Sequence, residues 1–96
     1  MADLLNAVLN YLDITWSDNA TIEKYSGIID SGIAYLNSKA GSEQDYTQAG
    51  YARMLLMDYC RYARDSALDV FENNYRSMIL AMRHESMVNA YAQTTE

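Results

Sequence analysis

The sequence predicts an all-α protein: a small helical bundle of three main helices plus a short helix, with a C-terminal extension. Three observations carry this. Apolar residues recur at spacings of three and four in successive segments, the period of a helix with one buried face. No segment shows clean apolar–polar alternation between turn signals, the pattern of a half-buried strand. The 96 residues include no proline and four glycines, so few positions break a helix. That length makes one domain with a modest core. Half the residues are apolar and 21% are charged, the composition of a folded chain rather than a disordered one.

Residues 2 to 13 place Leu5, Val8 and Leu12 on one line with Leu4 and Leu9 beside it, opposite Asp3, Asn6, Asn10 and Asp13. This is a short amphipathic helix. Ile14 to Asp18 then reads as a connector in which Trp16 packs over helix ends, and Asp18 or Asn19 is placed to cap the next helix. The second helix is expected from about Ala20 to Lys39, with Ile22, Tyr25, Ile29, Ile33 and Leu36 on its inner face. Gly32, at the edge of that face, predicts close approach of another backbone, whereas Gly27 can lie on the solvent side. Gly41 sits where a left-handed residue ends a helix, with Lys39 near the negative end of the dipole.

Asp45 and Gln48 have capping-box spacing, which predicts that the central helix starts there and runs to Asp65 as the longest in the chain. Gln48, Ala52, Leu55, Leu56, Tyr59 and Ala63 form its inner stripe. Its outer side carries Arg53, Met54, Met57, Arg61 and Arg64, and arginine and methionine are enriched at protein–protein contacts. A break is expected near Asp65–Ser66. Leu68, Phe71, Tyr75, Met78, Ile79 and Met82 form the next stripe, with room for an interruption at Asn73–Asn74. Beyond Met82 the pattern changes sides. Glu85, Ser86 and Asn89 replace the apolar stripe, while Leu80, His84, Met87 and Tyr91 open a second one. The helical domain is therefore taken as residues 1–84. Residues 85–96 are a tail that either frays or becomes ordered on a partner.

Chemistry narrows the function. The formal charge is −6 and the pI about 4.5, which disfavours phosphate-backbone binding as the main role. Every lysine lies in the first half and every arginine in the second. Cys60 is the only cysteine, which leaves no intrachain disulfide, and its place beside an apolar stripe makes it a small buried hydrophobe. Neither a signal peptide nor a run long enough to cross a bilayer is found, so a soluble protein of a reducing cytosol is expected. His84 is the single histidine, too few for a zinc protease, and no Glu-x-x-His pair offers a di-iron site. The Asp13–Asp18 run lacks the glycine and the final acid of a calcium loop. Asp65 and Asp69 read as solvated or as partners of Arg61. A non-enzymatic protein with no cofactor and no metal is expected.

Several blocks together have a specific likeness: Ile14-Thr15-Trp16, Gly32-Ile33-Ala34-Tyr35-Leu36-Asn37, Leu56-Met57-Asp58-Tyr59-Cys60-Arg61-Tyr62-Ala63-Arg64, and Ala67-Leu68-Asp69-Val70-Phe71-Glu72-Asn73-Asn74-Tyr75. Over roughly residues 4 to 84 the chain resembles the head–tail connector (adaptor) proteins of long-tailed bacteriophages and prophages, the group of small connectors found in lambda-like phages. The resemblance implies a structural virion protein, made in the bacterial host and located at the head–tail junction. It implies a self-assembled ring, of twelve subunits to match the portal, that binds the portal protein on one side. On the other side it would bind the next connector (stopper) or tail-completion protein, and DNA would pass through the channel without specific binding. No membrane partner is implied. On this reading Arg53, Met54, Met57, Arg61 and Arg64 face Glu23 and Asp30 of a neighbouring subunit, and Leu80, His84, Met87 and Tyr91 dock on the portal. The alternatives from other classes are an antitoxin-like helical adaptor or regulatory protein, and a helical nucleic-acid-binding module using Arg53, Arg61, Arg64 and Tyr62.

Overall fold

The computed structural model describes residues 2–15 and 18–94. Helices α1 (Ala2–Tyr11), α2 (Asn19–Ala40), α3 (Tyr51–Arg64), α4 (Phe71–Asn74) and α5 (Arg76–Thr94) follow one another, with a 3-10 turn at Leu68–Val70 just before α4. The protein is all-α, and the long helices α2, α3 and α5 pack together with α1 laid against α2 and α3. Trp16 and its expected packing lie outside the described residues, as do Thr95 and Glu96.

Each helix end has a local cause. The Asp18 carboxylate accepts the Thr21 N–H at 2.8 Å and so satisfies one of the unpaired donors of the first turn of α2. At the other end Gly41 takes φ 82° and gives its N–H to the Asn37 carbonyl. That left-handed conformation is one glycine adopts without a Cβ penalty. The central helix is shorter than expected. Asp45 does not cap it, because its carboxylate instead accepts both the N–H and the hydroxyl of Thr47, closing a tight turn. Gly50, at φ 152°, then sets the start at Tyr51. α3 thus has 14 residues against 22 in α2 and 19 in α5, and Gln48 is exposed rather than core-facing.

The core runs through Val8, Ile29, Leu36, Leu55, Leu56, Cys60 and Phe71, all almost fully buried, with Tyr25, Ile79 and Met82 around them. The inner stripe of α2 centres on Tyr25, Ile29, Gly32, Leu36 and Ala40, and Ile22 and Ile33 sit at its half-buried margin. Gly32 is needed, but for a different neighbour than a backbone. A Cβ there would come within 2.8 Å of Leu56 Cδ1 and 2.9 Å of Tyr59 Cδ1 on α3. Both of those side chains are themselves buried, so a Cβ at this position would have to displace core packing.

After α3 the chain reverses at Asp65–Ser66, where Ser66 takes φ 56° and the Ala67 N–H reaches back to the Tyr62 carbonyl at 2.8 Å. Leu68 is left exposed by this turn instead of joining the core stripe. Phe71 does join it. Its ring lies 4.8 Å from Tyr75, 5.4 Å from Tyr62, 5.5 Å from Tyr59 and 6.2 Å from Tyr35, stacked on the first and edge-on to the others. The interruption at Asn73–Asn74 is present, since α4 ends at Asn74 and α5 begins at Arg76. From Arg76 the backbone is one unbroken helix across residues 84 and 85 and on to Thr94.

Two substitutions test this packing. Gly32→Ala should destabilise by about 1–3 kcal/mol through overpacking, while Gly27→Ala, whose Cβ would meet nothing within 4 Å, should stabilise by about 0.5–1 kcal/mol. Urea midpoints read both, and equal responses would mean that the α2–α3 approach is not tight. Phe71→Ala should cost about 3–5 kcal/mol, a large share of a domain's stability of roughly 5–15 kcal/mol. A loss below about 1 kcal/mol would remove Phe71 from the centre of the core.

Candidate interaction surface

The outer side of α3 was the first surface expected to meet a partner, and its charged residues are engaged within the chain. Arg53 Nη1 donates to the Tyr46 carbonyl at 3.0 Å and ties the 41–50 loop to α3. Arg61 Nη2 donates to the Tyr75 hydroxyl at 3.1 Å, lies 3.7 Å from the Asp58 carboxylate, and sits over the Tyr62 ring. Asp58 also accepts the Tyr11 hydroxyl at 2.5 Å, so this network joins α1, α3 and the α4–α5 junction. Arg64 Nη1 donates to the Leu12 carbonyl at 3.2 Å, and its Nε to Asp65 at 3.0 Å. Arg61 therefore pairs with Asp58 and not with Asp65 or Asp69.

Met57 is a correction: expected on the outer side, it is buried among the core residues. The reason is that α1, α2, α5 and the 3-10 turn all pack on α3, so its buried arc widens to Ala52, Leu55, Leu56, Met57, Tyr59 and Cys60. Met54, 51% exposed, is the methionine that stays on the outer side.

Several tyrosines at the rim of the core tie neighbouring elements through their hydroxyls. Tyr35 donates to Glu72 at 2.6 Å, and Glu72 also pairs with Lys39 at 2.7 Å. These two bonds, Lys39 first, hold the Glu72 carboxyl below its ordinary value. Tyr46 is buried and donates to Asn37 Oδ1 at 2.7 Å, and burial pushes its hydroxyl up to about 12. Burial likewise pushes the Cys60 thiol up to about 12, so Cys60 is a neutral core residue at ordinary pH.

The acids Glu23 and Asp30 lie exposed on α2, and among the described residues neither has an ion pair. The residues of α5 expected to dock on a partner are all on the surface. Leu80 is 58%, Met87 59% and Tyr91 72% exposed, and His84 is exposed beside them. Val88, at 50%, belongs to the same surface, and sequence reasoning missed it because it falls off the four-three-four line. The last core residue of α5 is Met82. Beyond it the tether is polar: the Ser86 hydroxyl meets Ser42 at 2.5 Å and Gln44 Nε2 at 3.2 Å, beside a groove of about 450 Å³ walled by the 42–52 segment.

Among the described residues no group of three His, Cys, Asp or Glu side chains is placed to hold a metal ion. None of the described helices is long and apolar enough to cross a membrane. Comparisons of the chain with protein-family profiles, curated proteins and solved structures each return no match.

The buried hydroxyl and thiol set an alkaline limit on stability. Both folded values exceed the ordinary 10.0 for tyrosine and 9.0 for cysteine, so the fold favours the neutral forms. Their contribution is complete below those ordinary values and is lost as pH rises from them toward about 12. Urea midpoints followed from pH 7 upward should hold until about pH 9 and then fall. Tyr46→Phe, which lowers the baseline by about 1 kcal/mol through the lost hydrogen bond, should show a shallower fall above pH 10. An unchanged slope would place the titration elsewhere.

Proposed function

We propose that this chain is a structural subunit of a phage head–tail junction. Copies form a ring beneath the portal, hold the next connector or tail-completion component, and let DNA pass. One observation carries the reading beyond the likeness of the residue blocks: α5 continues past its last core contact and presents Met87, Val88 and Tyr91 to solvent. A helix end with an apolar face outside its own core is suited to a groove on another protein. In this reading that protein is the portal, with His84 at the near edge of the contact.

The charge balance supports the same reading. A net charge of −6 repels the DNA backbone, which favours sliding over sticking along a channel wall. Of the five arginines, the three on α3, Arg53, Arg61 and Arg64, are occupied by intrachain acceptors. The same bonds argue against the nucleic-acid-binding alternative.

Phage particles lacking this gene should appear in electron micrographs as DNA-filled heads without tails. Normally tailed particles would overturn the proposal. Met87→Glu with Val88→Glu, both at exposed positions, should change stability by no more than about 0.5 kcal/mol. The same pair should weaken capture by the portal protein of the same genome by about tenfold or more, since buried apolar contacts of this size carry at least about 1.4 kcal/mol. Unchanged capture would move the docking site off α5.

A further inference from the structure

Two exposed stripes on different helices match each other in spacing, size and charge. On α5, Arg76, Leu80 and Arg83 lie on one line, a base, a large apolar residue and a base, spaced four and three apart. On α2, Glu23, Gly27 and Asp30 lie on another, an acid, the smallest residue and an acid, with the same spacing. All six residues are exposed. Among the described residues, Arg83, Glu23 and Asp30 have no ion pair or side-chain hydrogen bond, and Arg76 acts on Glu72 only through its field.

Gly27 is unexplained within one copy. A glycine inside a helix costs about 1 kcal/mol relative to alanine, and here a Cβ would meet nothing within 4 Å. Leu80 is equally unexplained, a large apolar side chain 58% exposed between two cations. Each is what the other lacks. A bare helix surface at Gly27 admits a projecting leucine, and the flanking acids then fall opposite the flanking arginines. This holds whichever way the helices run. In parallel, Glu23 faces Arg76 and Asp30 faces Arg83, and in antiparallel the pairs exchange, with Gly27 opposite Leu80 both times.

We infer that α5 of one copy docks on α2 of a second copy, Leu80 seating against Gly27 between the Arg76/Arg83 and Glu23/Asp30 pairs. The contact joins different surfaces of the two copies. It therefore leaves the first copy's α2 stripe and the second copy's α5 stripe free, and propagates to a ring or a filament rather than stopping at a dimer. It rests on the connector reading for the expectation that copies meet, and it replaces the α3 arginines with α5 arginines as the basic side of that meeting. The signal was present in the sequence as the shared four-three spacing. Intrachain bonds hold Arg53, Arg61 and Arg64, which among the arginines leaves Arg76 and Arg83 available to a second copy.

The test uses the full chain. Gly27→Cys and Leu80→Cys variants are mixed and oxidised, with Cys60 inert because it is buried and its thiol is pushed up to about 12. A covalent dimer should form in the mixture and not from either variant alone. No dimer, or a dimer from one variant alone, overturns the contact. Independently, Glu23→Arg with Asp30→Arg, and Arg76→Glu with Arg83→Glu, should each weaken self-association by about tenfold or more in sedimentation velocity, with helicity unchanged by circular dichroism. An equal mixture of the two should restore it, because each supplies the charge the other has lost. Failure of the mixture to recover overturns the proposal. If portal capture persists while these variants leave self-association unchanged, this contact fails and the connector reading stands. If the contact forms but phage without the gene still carry tails, the connector reading fails and the contact stands.

Discussion

Phe71 is the side chain that the remaining architecture depends on. Its ring is almost wholly buried and touches tyrosines from α2, α3 and the α4–α5 junction. α4 is a four-residue helix, far too short to be stable by backbone hydrogen bonding alone. Burial of Phe71 holds it, and with it the direction in which the chain leaves toward α5. Aromatic pairs at these separations add roughly 0.5–1.5 kcal/mol each beyond the area they bury. A ring contacting several others is thus a strong anchor for a segment with little intrinsic order. The exposed stripes of α5 point where they do because Phe71 sets the start of that helix.

Around this anchor the rim of the core is closed by polar contacts of long reach in sequence. Tyr11 meets Asp58, Tyr35 meets Glu72, Ser42 meets Ser86 and Arg64 meets the Leu12 carbonyl. Most of these are exposed, and each one contributes little by itself. Their joint effect is geometric: they fix the ends of helices whose central turns are already packed. The same contacts explain why the charged residues of α3 are poor candidates for a partner. A guanidinium that bridges a carboxylate and a phenol within its own chain has to give those bonds up before it pairs elsewhere. Arg76 and Arg83, on a helix with fewer neighbours, carry no such obligation.

The molecule thereby separates its surfaces by chemistry. α3 is largely enclosed, α2 turns small and acidic residues outward, and α5 turns basic and apolar ones outward. In a monomer with no assembly role, Gly27 and Leu80 would be two unrelated irregularities. As halves of the proposed repeating contact they share one physical reason.

The helical class, the cap at Asp18, the left-handed end at Gly41, the burial of Cys60 and the exposure of Leu80, Met87 and Tyr91 were legible from residue type and spacing. Each depends on interactions within a few residues or on the period of one helix. The start of α3, the burial of Met57, the exposure of Leu68 and the engagement of the arginines were not. Spacing around one helix says which residues share a side, but not how wide an arc its neighbours cover. Nor does it say whether a carbonyl or carboxylate some fifty residues away lies within reach of a guanidinium, as the Leu12 carbonyl does for Arg64. Those outcomes belong to the packing of α1, α2 and α5 around α3, and only the tertiary structure decides them.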